Sequence, residues 1–279
     1  ILGFVIGMMV LVGIVRESGI FEALAIWLVR AVRGNPQMLL VITGYLALAM
    51  TTFFFNIPTI LILTPVLVVL IRSFKLPYLP YFFILIVMAN LGGAMTPISD
   101  PTTYYQAKTV GLSFAEVIGN SGVIVLFLSV ISTIYALFIF RKELASVTVK
   151  ASAVEMFHPR SALRDMKVLY KGTPILALVI GLMIFKDSIY QFTGIGLDNA
   201  TLTLGGAFLA MMIFHRNPKV VSRDLIDWEI IFFFFGLFVV VGALEFTQLI
   251  ELLAGQLVTI SRGSVAILLL LTSVGSAVI

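Results

Sequence analysis

Long stretches of this 279-residue chain carry almost no charge, and they fall into apolar segments at 1–15, 38–55, 59–71, 81–91, 117–140, 173–185, 202–214, 230–244 and 264–279. No water-soluble core needs so many. Only 11% of the residues are charged and 60% are hydrophobic, against about a quarter and about half in soluble domains. A soluble enzyme, a nucleic-acid binder and a disordered protein are thereby excluded. At about 20 apolar residues per crossing, the length allows about eight or nine spanning helices with short loops. In lipid each backbone polar group must be satisfied within the protein, so the expected fold is an all-α polytopic membrane protein. Its 18 basic residues outnumber 14 acidic ones, an excess that marks cytoplasmic loops rather than an acidic partner. The absence of cysteine excludes disulfides and thiolate metal sites.

Several segments are too short to cross a bilayer unbroken. Short segments interrupted by Gly or Pro are the trace that broken helices and re-entrant hairpins leave in a sequence. The chain starts with Ile1 inside one apolar run and stops inside another, so it is expected to be a fragment, with no signal peptide. Between the segments, 141–172 is the one long polar stretch. Seven basic residues (Arg141, Lys142, Lys150, Arg160, Arg164, Lys167 and Lys171) accompany three acids there, which reads as a cytoplasmic linker between two halves.

The halves resemble each other. Laying residues 7–50 over 236–279 without a gap matches Gly7 with Gly236, Gly13 with Gly242, Glu22 with Glu251, Arg33 with Arg262, Gly34 with Gly263 and Thr43 with Thr272. The first repeat is therefore expected over 1–140, and 173–279 begins a second that stops before its own hairpin tip. Arg16, Arg30 and Arg33 follow the opening helix of the first copy, whereas Glu245 and Glu251 follow that of the second. Basic flanks mark the cytoplasm, so the copies are expected to be inverted. One further assumption makes the charges consistent: 38–71 is a re-entrant hairpin that leaves on the side it entered, flanked by Arg33, Arg72 and Lys75. Of the 18 basic residues only Lys108, Lys186 and Arg262 then fall outside. The first repeat thus comprises a scaffold helix, the hairpin 38–71, a broken helix over 81–108 and a helix over 117–140.

Inverted repeats with interrupted helices describe secondary transporters, which hold substrate near the midplane where the helices break. The first interruption is Phe53-Phe54-Phe55-Asn56-Ile57-Pro58-Thr59. Pro58 disfavours helix at Ile57 and removes a backbone donor, freeing carbonyls near Asn56 for a cation or a small polar solute. Pro58 and Thr59 also suit the first turn of a returning helix, whose N-terminus carries a partial positive charge. The alternative is an Asn that caps its own tip. The second interruption is Asn90-Leu91-Gly92-Gly93-Ala94-Met95-Thr96-Pro97-Ile98-Ser99-Asp100-Pro101-Thr102-Thr103, a run of Gly, Pro and hydroxyls that cannot form continuous helix. Such backbone survives at membrane depth only where protein buries it or water reaches it. A carboxylate like Asp100 costs about 2.5–3.5 kcal/mol at a helix centre on insertion scales, so it is expected to serve a cation, a proton or a fixed partner. It also suits N-cap chemistry before a helix at Thr102, and the two roles are compatible. The candidate binding residues are Asn56, Pro58, Thr59, Asn90, Gly92, Gly93, Thr96, Ser99, Asp100, Thr102 and Thr103, with Asn56, Ser99 and Asp100 as ligands of a candidate Na+.

Other polar residues read as structural. Asp198-Asn199 reads as a cap and interface pair, and Asp227-Trp228-Glu229 as an inner N-cap with an interfacial tryptophan. His158 and His215 lie in basic loops, leaving no histidine for an intramembrane metal site, and the phenylalanines at 232–235 read as lipid-facing and packing surface. The sequence has no HExxH, phosphate loop or Cys/His cluster, which argues against a membrane protease or an ATP-driven pump.

At Gly7-Met8-Met9 with Gly13, at 53–59, at 90–101 with its Asn-Leu-Gly-Gly and Thr-Pro-Ile-Ser-Asp-Pro core, and at 227–245, the sequence resembles the ion transporter superfamily. The nearest branch holds arsenite permeases, sodium–proton antiporters and the melanosomal P protein, with divalent anion–sodium symporters as further relatives. The resemblance covers nearly the whole chain. It implies two inverted repeats, each with a re-entrant hairpin and a broken helix that meet at an ion or substrate site, and dimerisation through a scaffold domain. Two motifs depart from the family. Phe55 and Ile57 flank Asn56 where the family sets a carboxylate beside the Asn, and Asp100-Pro101-Thr102-Thr103 stands where Asp-Pro-Pro-Asn is frequent. With Asp100 the only acid at this half-site, sodium–proton antiport is disfavoured. A neutral or anionic substrate is slightly favoured, with Asn56, Thr96, Ser99 and helix N-termini as donors.

The function expected is secondary active transport of an inorganic ion or small anion by alternating access, coupled to H+ or Na+, in a multi-pass protein of the inner or plasma membrane. The alternatives are an uncoupled, channel-like anion pathway or a non-transporting membrane protein. Expected partners are the lipid bilayer, the transported ion or anion and a second copy of the chain. No cofactor, nucleic acid or enzymatic activity is expected.

Overall fold

The computed structural model describes residues 2–31, 35–145, 162–194 and 196–278, and it divides into two compact units, 3–226 and 227–279. Arg33, Gly34 and residues 146–161 of the expected linker, His158 included, lie outside the described residues. All regular structure among the described residues is helical. The first unit holds α1 (Leu2–Arg16), α2 (Ile20–Ala31), α3 (Pro36–Phe53), α4 (Asn56–Phe74), α5 (Tyr78–Gly93), α6 (Pro101–Val110), α7 (Phe114–Val117), a π-helical turn (Ile118–Gly122), α8 (Val123–Ile139), α9 (Arg141–Ala145), α10 (Met166–Thr193), α11 (Asn199–Ile213) and α12 (Pro218–Asp224). The second holds α13 (Trp228–Phe246), α14 (Leu249–Ser261) and α15 (Val265–Val278).

Four helical runs among the described residues are long and apolar enough to cross a membrane: α3, the continuous run Phe114–Ile139, the part Met166–Lys186 of α10, and α13. The helix starts follow from side chains that satisfy the first free amides. Asn35 accepts from the amides of Gln37 and Met38, with Pro36 in the first turn of α3. Asp165, Asp198, Asn217 and Asp227 do the same for α10, α11, α12 and α13. Because Asp165 caps α10, that helix starts at Met166, inside the stretch expected as linker.

The order of contacts fixes how the chain turns within the first unit. Tyr81 Oη donates to Pro36 O at 2.9 Å, Gly44 lies against Ile84 and Met88, and Gly92 lies against Leu48 and Thr51. The residue numbers rise together, so α3 and α5 run parallel. Pro36 and Tyr81 are neighbours and only three residues separate α4 from α5, so α4 must return from the break at 54–55 towards the start of α3. The segment between Asn35 and Tyr78 therefore goes out and comes back.

Two glycines set the spacing of α3 and α5. A Cβ on Gly44 would stand 2.8 Å from Ile84 Cγ1, and one on Gly92 would stand 2.5 Å from Leu48 O. Small residues at such crossings let helix backbones approach closely, which is where packing energy comes from in lipid. α1 is the most enclosed helix, with Phe4, Met8 and Ile14 at 0% exposure, and Gly7 brings it against the backbone of Thr203 on α11.

The two matched stretches of sequence also share a helix order and one turn. α1–α2–α3 and α13–α14–α15 each place a helix of 12 or 13 residues between two longer ones. The turn into that short helix uses left-handed backbone at equivalent positions, Gly19 at φ 77° and Gln248 at φ 57°. Neither short helix is among the apolar segments, because Glu22 and Glu251 interrupt them.

Candidate functional site

The two interruptions expected from the sequence face each other. α3 ends at Phe53, and Phe54 and Phe55 are extended, with ψ near 159° and 149°. Asn56 is already the first helical residue of α4, so Pro58 sits in the first turn and does not exclude Ile57 from the helix. The first-turn amides of a helix have no intrahelical acceptor, so a proline there loses nothing. On the other side α5 ends at Gly93, residues 94–100 are non-helical, and α6 starts at Pro101, one residue before the expected Thr102.

Hydroxyls from the break satisfy the carbonyls that the missing helical turns leave free. Thr96 Oγ1 donates to Thr52 O at the end of α3, which ties the broken helix to the hairpin tip. Ser99 Oγ lies 2.7 Å from Gly93 O and 2.8 Å from Thr96 O, and Thr103 Oγ1 reaches Gly93 O at 3.5 Å. Thr96 and Ser99 are both at 0% exposure. Their protons, expected to serve a solute, are engaged by backbone, which leaves their oxygens to act as acceptors.

Asn56 stands at the junction. Its Nδ2 donates to Asn90 Oδ1 at 3.4 Å, while its Oδ1 is buried without a hydrogen-bond partner. A Cβ on Gly93 would stand 2.5 Å from that oxygen, so only glycine leaves it this room. Thr59 Oγ1, three residues on and on the same face of α4, is also buried without a partner. An unpaired buried polar oxygen costs about 1–3 kcal/mol, and here two occur within one helical turn.

Asp100 takes the N-cap position of α6 with extended backbone, yet its side chain makes no capping bond to the backbone. Asp100 Oδ2 accepts instead from the hydroxyl of Thr102. The structure thus gathers Asn56, Asn90, Gly93, Thr96, Ser99 and Thr103 around the junction. Gly92 packs the helices behind it, Pro58 and Thr59 belong to the first turn of α4, and Asp100 with Thr102 forms a separate pair at the start of α6.

Three participants were missed in the sequence. Thr52 contributes its carbonyl, and the adjacent polar pair Thr51-Thr52 inside an apolar run was the available signal. Phe4 of α1 packs on both elements, with ring centroids 5.8 Å from Phe55 and 5.1 Å from Tyr104. The π-helical turn Ile118–Gly122 places Gly122 against Met95, a Cβ there lying 3.6 Å from Met95 Cε. Its Gly119-Asn120-Ser121-Gly122 run is the local sequence signal, and single π turns are frequent beside functional sites.

The citrate transporter family matches the chain over residues 1–279. A 46 kDa membrane protein of Mycobacterium leprae is 27% identical over 267 residues, which is 96% of this chain and 61% of that protein. A protein described as an uncharacterized transporter, from Synechocystis sp., is 25% identical over 261 residues, 90% of this chain and 56% of its own length. The human P protein is 30% identical over 119 residues, 41% of this chain and 14% of that protein. The chain thus spans less than two thirds of the length of these relatives.

Proposed function

We propose that this chain, which belongs to the citrate transporter family, is the part of a secondary active transporter that binds the coupling ion, H+ or Na+, while the whole protein moves a small anion by alternating access. The observation that carries the reading is Asn56 Oδ1, buried without a partner at the junction of the two breaks and given its space by Gly93. Acceptors dominate this junction. Asn56 Oδ1 and the oxygens of Ser99 and Thr96 suit a cation, because the hydroxyl protons of Ser99 and Thr96 already have backbone acceptors. Hard cations such as Na+ take oxygen ligands, and the Asp100 carboxylate supplies negative charge next in sequence to Ser99, at the start of α6.

Citrate, the substrate in the family's description, is the first anion to test. In this reading the hairpin 38–71 is re-entrant, in keeping with the out-and-back path of α3 and α4, and 1–140 and 173–279 are copies with the matched turns at Gly19 and Gln248, inverted because basic residues flank the opening helix of the first and acidic residues that of the second. The protein works as a homodimer in the inner or plasma membrane, with 141–172 on the cytoplasmic side, where its seven basic residues belong.

The test uses the intact protein in proteoliposomes. Citrate uptake should respond to an imposed Na+ or pH gradient, and Asp100→Asn should abolish that response while the protein still folds. Undiminished gradient-driven uptake by the variant overturns the role of Asp100. Wild-type flux that ignores both gradients favours an uncoupled anion pathway instead.

A further inference from the structure

The hairpin tip has little of its own to fix its direction. α4 starts at Asn56 without a side-chain cap, and two extended residues, Phe54 and Phe55, join it to α3. Thr96 fastens Thr52 O just before the turn, and the turn itself is gripped by rings. Phe54 packs against Phe21 of α2, with ring centroids 5.2 Å apart and planes at 73°. Phe55 packs against Phe4 of α1 at 5.8 Å and 74°. Both contacts have the edge-to-face geometry that aromatic pairs prefer. Successive side chains of an extended backbone leave on opposite sides, so two different helices take up the two tip residues. Only three residues, 17–19, join those helices, so one piece of scaffold holds both rings.

Phe4 makes a second contact, with Tyr104 of α6 at 5.1 Å, so a single ring bridges the hairpin tip and the helix that follows the second break. α1 can bear this load because it lies close along α11. A Cβ on Gly3 would stand 3.2 Å from Leu204 Cδ1, and one on Gly7 would stand 2.6 Å from the Thr203 backbone. Buried rings often do no more than fill space. These ones flank a residue with little room to move. Asn56 follows Phe55 directly, and a Cβ on Gly93 would stand 2.5 Å from its Oδ1. Binding groups keep their geometry only when held to about 0.5 Å. A larger shift of the tip either drives the amide into Gly93 or withdraws its oxygen from the junction.

We propose that Phe4 and Phe21 are positioning residues of the ion site, an aromatic clamp by which α1 and α2 hold the Asn56 oxygen against Gly93 and set the affinity for the coupling ion. This rests on the reading of the Asn56 junction as that ion's site. Neither ring is a ligand, and each acts through Phe54 or Phe55. The tip binds the ion when clamped and loses its register when released. Loss of one contact therefore lowers the competent fraction and raises the apparent ion constant in inverse proportion.

The test titrates citrate uptake by the intact protein in proteoliposomes against external Na+ and, separately, external pH. Phe4→Ala and Phe21→Ala should each raise the half-saturating concentration of whichever ion drives wild-type uptake, by up to about tenfold, the worth of one aromatic contact. Half-saturating citrate at saturating ion should stay within about twofold. Phe4→Leu and Phe21→Leu, which keep most of the apolar volume, should shift the ion titration the same way if an alanine variant folds poorly. Phe140→Ala removes a buried ring paired with Phe83 at 5.6 Å. As the control for lost packing, it should lower the Tm and leave the ion titration alone. Hydrogen exchange over 53–59 in lipid nanodiscs reads the clamp without transport, and it should be faster in both alanine variants but not in Phe140→Ala. Unchanged exchange there, an unshifted ion titration, or an equal shift in Phe140→Ala overturns the clamp and leaves the ion site standing. Gradient dependence retained in Asn56→Ala overturns the ion site itself, and the role of the clamp with it.

Discussion

Replacing Gly92 with alanine tests the packing that holds the hairpin to the broken helix. A Cβ at this position would stand 2.1 Å from Thr51 Oγ1 and 2.5 Å from Leu48 O. The threonine cannot swing aside freely, since it is at 0% exposure and its hydroxyl donates to Ala47 O at 2.8 Å. Leu48 O is backbone, so relief requires α3 and α5 to separate. Overpacking of a well-filled contact costs about 1–3 kcal/mol, and a backbone partner puts this case at the upper end. Alanine recovers at most about 1 kcal/mol of helix propensity, less in the last turn of α5. The net expectation is destabilisation by about 2 kcal/mol. Gly205, inside α11 with nothing within 4 Å of its added Cβ, is the matched control, where the propensity gain stands alone. Thermal unfolding of the intact protein in detergent, followed by tryptophan fluorescence, should place Gly92→Ala below wild type and Gly205→Ala at or above it. A Gly92→Ala protein that melts at or above wild type refutes the close approach of α3 and α5.

Two further substitutions separate stability from transport. Gly93→Ala meets the Asn56 side chain first, 2.5 Å away, which can rotate. Its stability should therefore stay within about 1 kcal/mol of wild type, yet it should lose coupled uptake in proteoliposomes. Thr96→Val keeps the volume but leaves Thr52 O without its donor, an expected loss of about 1–3 kcal/mol. Its Tm should fall, and Thr96→Ser should restore most of it.

Much of the frame was legible because it rests on local chemistry. Pro58, the Gly92-Gly93 pair and Pro97 interrupt apolar runs, and the structure breaks its helices within a few residues of them. Asp198 and Asp227, read as caps, accept from helix amides. What stayed hidden depends on tertiary placement. Thr96 and Ser99 look like solute ligands in a sequence, but which acceptor a hydroxyl finds depends on where Thr52 O and Gly93 O lie. Asp100 has the right type and position for a cap, yet the Thr102 hydroxyl gives its carboxylate a different partner. α2 and α14 escaped notice because one glutamate apiece breaks an otherwise apolar pattern, and the π turn because nothing in a helical period marks an extra residue.

The central claim is that the Asn56–Gly93 junction holds the coupling ion, and gradient-driven uptake by Asn56→Ala in the intact protein tests it most directly. Asn56 contributes one long hydrogen bond, 3.4 Å to Asn90, and an unpaired oxygen, so its removal should leave the stability within about 1 kcal/mol of wild type. Uptake should lose its dependence on the Na+ or pH gradient. Wild-type gradient dependence in a folded Asn56→Ala protein would contradict the account.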